Sequence, residues 1–128
     1  MSSKIFPILI LLLFSCEGGT DAYWELVNTS DLTVKVQLKL LRTNQDTTFV
    51  LGSLERKIVY VQSSLGGSAQ EILPEDVFAN DTVRNANNDT LKLDFLNLDN
   101  WQTQIVHKSK YPSHFIHDYK IVIGDEDF

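Results

Sequence analysis

The chain has 128 residues, 43% hydrophobic and 22% charged, with a formal charge of −6 at pH 7. That length gives one domain, large enough to bury a core without metal or disulfide support. The excess of acids repels phosphate backbones and excludes nucleic acid as the expected partner.

The first residues read as an export signal. Met1 to Lys4 is a short positive start, Ile5 to Phe14 is an unbroken apolar run, and small Ser15 precedes Cys16. This is the order of a signal peptide, and the run is too short to cross a bilayer, which takes about 20 apolar residues. Leu13-Phe14-Ser15-Cys16 resembles a bacterial lipobox, which implies cleavage before Cys16 and lipid on its sulfur. Cys16 is the one cysteine, so it has no internal disulfide partner. The expected organisation is a signal helix over 1–15, cleaved; a lipidated Cys16 and polar tether over 16–21; and a domain over 22–128. Loss of Lys4 with the signal leaves ten basic residues against seventeen acidic ones, a charge of −7. The lipid, not charge, is then what holds the domain to a membrane with anionic headgroups.

Tyr23 to Val27 reads as a first strand, ended by a turn at Asn28-Thr29-Ser30-Asp31. From Leu32 to Leu40, Leu32, Val34, Val36, Leu38 and Leu40 alternate with Thr33, Lys35, Gln37 and Lys39. That period of two predicts a strand with one face on a core and one in water. A polar loop from Arg42 to Asp46 precedes a strand at Thr47 to Leu51, and Lys57 to Gln62 is rich in β-formers. Ser63 to Ser68, with Gly66-Gly67, reads as a turn or open loop, and Pro74 to Phe78 suits a single helical turn. Thr82 to Arg84 is a short strand candidate before the turn cluster Asn85-Ala86-Asn87-Asn88. Thr90 to Leu96 alternates again, with Leu91, Leu93 and Phe95 on one side, and predicts another strand. Trp101 to His107 and Phe115 to Ile123 complete the set. Seven or eight short strands with frequent turn signals predict an all-β fold, a single small antiparallel sandwich.

Several of these segments carry a resemblance. The lipobox, the Trp24–Asn28 strand leading to Asn-Thr-Ser, the alternation from Leu32, the Asp89-Thr90-Leu91 strand start and the ending Tyr-Lys-Ile-Val-Ile-Gly-Asp-Glu-Asp are similar to those of small outer-membrane lipoproteins of Bacteroidetes-type bacteria. The resemblance covers the whole chain in style. It implies an immunoglobulin-like β-sandwich at the cell envelope and carries over no catalytic residue. Asp46-Thr47-Thr48, Asp81-Thr82-Val83 and Asp89-Thr90-Leu91 also look like the Asp-Thr-apolar site that is O-glycosylated in exported proteins of that group. Thr47, Thr82 and Thr90 are therefore the candidate glycan acceptors.

The sequence offers little chemistry. His114 and His117 have an H-x-x-H spacing, which makes them weak candidates for a metal site. Three residues apart on a strand point to opposite faces, and zinc needs three or four converging ligands. Asp125-Glu126-Asp127 lacks the spaced oxygens and central glycine of a calcium loop. No nucleophile elbow and no glycine-rich phosphate loop is present, so no catalytic residue and no cofactor is assigned. Trp24 and Trp101 read as core side chains ahead of a sugar-stacking platform.

The preferred expectation is a lipid-anchored binding or structural accessory of the cell envelope whose partner is a glycan or another envelope protein. The alternatives are a small envelope enzyme, such as a polysaccharide hydrolase, and a subunit of an envelope machine joined through a sheet edge.

Overall fold

The computed structural model describes residues 18–128. The expected export signal over 1–15 and the expected lipidation site Cys16 lie outside the described residues.

Seven strands make up this region: β1 (Gly19–Asn28), β2 (Val34–Leu40), β3 (Asp46–Leu51), β4 (Arg56–Leu65), β5 (Phe78–Asn85), β6 (Gln102–Ser109) and β7 (His114–Ile123). They form a four-stranded sheet in the order β4-β1-β7-β6 and a three-stranded sheet in the order β3-β2-β5. This is the all-β sandwich that the alternating sequence predicts. One pairing departs from the antiparallel expectation: β1 and β7 run parallel, from Gly19 beside His114 to Asn28 beside Ile123. A parallel pair needs a long crossover between its strands, and here the rest of the domain supplies it.

Alternation decides the faces. Thr20, Ala22, Trp24, Leu26 and Asn28 are buried along β1, and Val34, Val36 and Leu38 along β2. The two inner faces meet in a core with an aromatic centre. Trp24 stacks on Tyr119 at 4.1 Å and takes Trp101 and Phe78 edge-on at 5.0 and 5.6 Å. Such offset and edge-on packing suits the ring quadrupoles. The indole N–H of Trp101 donates to the Phe95 carbonyl, while that of Trp24 finds no acceptor among the described residues.

A polar hub closes the upper end, where β1 stops. Asn28 is fully buried, and its amide donates to the carbonyls of Leu32, Leu51 and Gly52. Its side-chain oxygen accepts from the Ser30 amide and hydroxyl. One side chain thus ties the first turn to both sheets and satisfies buried carbonyls that no ladder reaches.

At the lower end the sheets are offset. Phe78, opposite Leu40 at the end of the second sheet, packs on Trp24, five residues into β1. The first sheet therefore runs on past the strands of the second by roughly 16 Å, at about 3.3 Å per residue. The loop after β4 covers part of its inner face. Thr20 Oγ1 donates to the Gly66 carbonyl and accepts from the Ser68 amide.

Several elements differ from expectation. Strand β4 runs on to Leu65, into the segment read as loop, and β5 begins at Phe78, four residues before Thr82. Strand β1 takes up Gly19–Asp21, which composition assigns to the tether, because both β4 and β7 pair with it there. Thr90–Leu96 does not form a strand. Leu91 and Leu93 are half-buried and Phe95 is buried, so the alternation is real. A single bridge from Thr90 to Arg84 is the only ladder it makes, however. Asp94 then accepts from the Leu96 amide and offers its carbonyl to Asn97 and Asn100. Such local side-chain bonds turn the chain away from the sheet. The helical turn expected near Pro74 is present as a 3-10 turn at Pro74–Asp76.

Candidate functional site

The residues singled out by sequence do not come together. His114 lies on the outer face of β7, where Nε2 meets Asp21 Oδ2 at 2.9 Å. His117 lies on the inner face, fully buried. Its Nε2 donates to the Ser68 carbonyl at 2.6 Å, and its Nδ1 accepts from the Tyr119 hydroxyl at 2.8 Å. The Tyr119 oxygen in turn accepts from the Ile72 amide at 2.8 Å. Every polar atom in this chain of bonds is used with a neutral ring carrying its hydrogen on Nε2. Burial pushes the Tyr119 phenol above its ordinary range, which keeps that donor protonated. His117 therefore clamps the loop after β4. His107 stacks on Phe115 at 4.4 Å. Among the described residues no group of three or more His, Cys, Asp or Glu is placed to hold a metal ion.

The glycan-acceptor candidates separate by exposure. Thr90 is exposed, whereas Thr47 on β3 and Thr82 on β5 are half-buried. Thr47 and Thr82 both border a depression of about 340 Å³ beside Lys39, Asp46 and Asp81. Asp81 faces inward opposite Leu38, and burial, with the Asp94 carboxylate second, raises its carboxyl above the ordinary range.

A second concavity lies on the outer face of the four-stranded sheet. It encloses about 580 Å³ and is lined by Tyr23, Glu25, Arg56, Ile58, Gln102, Gln104, Asp118 and Lys120, among others. The register lays these side chains out in two rows. One row holds Val61, Tyr23, Asp118 and Gln104; the next holds Ile58, Glu25, Lys120 and Gln102. Strand alternation places those of β1, β6 and β7 on one face, and the bulge in β4 opposite Trp24 and Glu25 brings Ile58 and Val61 to that same face. The Arg56 guanidinium caps the upper side and binds the Glu25 carboxylate. Among the described residues Tyr23, Gln102, Gln104, Asp118 and Lys120 make no side-chain hydrogen bond, so their polar atoms face solvent. The formal charges of Glu25, Asp118, Arg56 and Lys120 cancel in a domain that is acidic overall.

Sequence reasoning missed this surface. Its residues are scattered over β1, β4, β6 and β7, and only the parallel β1–β7 pairing brings Tyr23 beside Asp118. The signal available in the sequence was polar and aromatic residues on the solvent side of strands, which is also what an ordinary wet face looks like. No protein-family model matches the chain, and no curated protein matches it either.

Proposed function

We propose that the protein is a lipid-anchored binding domain of the cell envelope, held through Cys16, and that the outer-sheet groove takes an uncharged glycan. The observation that carries this reading is the groove itself: a phenol ring on its floor, unpaired amide, carboxylate and ammonium groups around it, and no net charge. The C–H face of a sugar ring packs on an aromatic ring, and its hydroxyls pair with planar amides and carboxylates that donate or accept. Charge cancellation favours a neutral ligand over a uronate or phosphate. An open groove gives weak binding, and anchoring offsets that by holding the domain close to its ligand.

The test is a titration of the full chain with neutral oligosaccharides, followed by calorimetry on Tyr23→Ala and Gln104→Ala. Each substitution is expected to weaken binding roughly tenfold, the size of about 1.4 kcal/mol. Unchanged affinity in both variants removes the groove as the binding site. Glu25 and Asp118 sit diagonally on neighbouring strands, so release of reducing ends is measured in the same samples. Turnover abolished by Asp118→Asn would replace the binding reading with that of a hydrolase.

A further inference from the structure

We infer that the lower tip of the four-stranded sheet is a membrane contact: the β6–β7 hairpin and the end of β4 rest in the headgroup layer of a lipid bilayer. The inference rests on the anchor reading of Cys16 and adds an orientation to it. Three observations support it.

The first is the geometry of attachment. Only Glu17 separates Cys16 from Gly18. The Gly18 carbonyl already accepts from the Gly66 amide at 3.3 Å, and the Gly19 amide donates to the Ser113 carbonyl at 3.1 Å. Two residues of extended chain span at most about 7 Å. The Gly18 backbone has a φ of 71°, and a Cβ there would sit 1.8 Å from the Ser113 oxygen, so the join to the hairpin is tight. A lipid on Cys16 therefore brings this end of the sheet, and no other, against the bilayer.

The second is what the tip displays. Leu65, the last residue of β4, is 80% exposed, and Tyr111, in the β6–β7 turn, is 85% exposed. Leu54, in the β3–β4 turn at the opposite end, is as open at 79%, so what sets Leu65 and Tyr111 apart is that they lie at the end that carries Gly18. Tyrosine is enriched at the membrane interface because its ring is apolar and its hydroxyl is wet. The tip also projects beyond the strands of the second sheet, so nothing from that sheet's ladder shields it.

The third is charge. Lys108 and Lys110 are exposed on this hairpin, and Lys110 Nζ lies 5.8 Å from the centre of the Tyr111 ring. Among the described residues the carboxylate nearest the start of β1 is Asp21, which is engaged by Ser63 and His114. The acidic C-terminal residues lie at the opposite end, where the Asp31 amide donates to Asp125. A chain with seven more acids than bases beyond its signal thus carries exposed bases in the β6–β7 hairpin itself, with Glu17 and Asp21 at the join to the anchor. That arrangement suits headgroup phosphates.

The experiment uses the full chain made with its own signal and reconstituted into phosphatidylcholine vesicles, with and without phosphatidylglycerol, whose acyl chains are brominated near the headgroup. Trp24 and Trp101 are 0% and 5% exposed, so the wild type supplies an unquenched baseline. Tyr111→Trp is expected to show blue-shifted emission that bromine quenches. Adding Lys108→Glu and Lys110→Glu to it is expected to lose most of that quenching. A lipidated Tyr111→Trp chain whose new emission matches that in water overturns the contact. Mass spectrometry of Cys16 reads the anchor separately. If the sulfur carries no lipid, the anchor reading fails, and the tip is decided by whether added vesicles quench the same tryptophan.

Discussion

Polar side chains that face the interior fall into two groups, fully buried and half-buried, that differ in how completely they are satisfied. Asn28 and His117 are both fully buried, and each polar atom in their side chains has a partner. Asp81 is different. It faces the interior beside Leu38, within reach of the Asp94 charge, and among the described residues its carboxylate accepts no hydrogen bond. Burial without a donor disfavours the charged form and raises the carboxyl above its ordinary range. The sign follows from linkage. The folded state binds the Asp81 proton more tightly than the unfolded state, so the ionised group destabilises the fold above the raised value. That penalty fades as pH falls through the window between the raised value and the ordinary one. Asp81→Asn is therefore expected to raise the urea midpoint at neutral pH, with the advantage over wild type shrinking in acid. A variant that is less stable at pH 7, or an advantage that does not change with pH, would show that Asp81 has a partner that this account lacks.

At the scale of elements, the alternation in β2 states its own test. Leu38 is 3% exposed and Gln37, beside it, faces water. Leu38→Ala is expected to cost about 2 to 5 kcal/mol, since it removes buried area and leaves a cavity. Gln37→Ala should stay within roughly 0.5 kcal/mol. Equal shifts in a denaturant titration would mean that the faces are assigned wrongly. The same period of two made most strands legible from sequence, because half-burial writes itself into the residue order. The Thr90–Leu96 segment shows where that signal ends. Its alternation reported which side chains are buried and could not report whether a neighbouring strand was there to pair with. The parallel pairing of β1 with β7 was invisible for a related reason. No local pattern distinguishes a strand paired parallel with one far along the chain from a strand paired antiparallel with its neighbour. The groove depends on that pairing and was hidden with it, as was the clamp by His117. Its H-x-x-H spacing drew attention, but its burial came from the loop at Ser68 and Ile72.

Across the whole molecule, the first strand of the described region is also one of the best-held strands. β1 has β7 on one side along all ten of its residues and β4 on the other from Gly19 to Val27. β7 is likewise flanked, by β1 and β6, and β2 by β3 and β5. The outer strands β3, β4, β5 and β6 each pair with one strand of their sheet, and most of their side chains are exposed or half-buried. Local opening draws on regions with few buried apolar contacts, so the edges should open first and the central strands only with the whole domain. For a domain held by lipid at Cys16, the tether then leads into a strand that does not fray, and loosening at an edge leaves the attachment intact. The groove spans both regimes: its floor at Tyr23 and Asp118 is central, while its walls at Ile58 and Gln104 are on edge strands that can adjust to a ligand. Native-state hydrogen exchange tests this division. The amides of Trp24, Leu26, Val36 and Ile121 are expected to exchange only by global unfolding, with a denaturant dependence equal to the equilibrium slope. Amides of β3 and β6 are expected to exchange faster, with a shallower dependence. Uniform protection across all seven strands would mean that the sandwich opens as one unit and that the walls of the groove are as rigid as its floor.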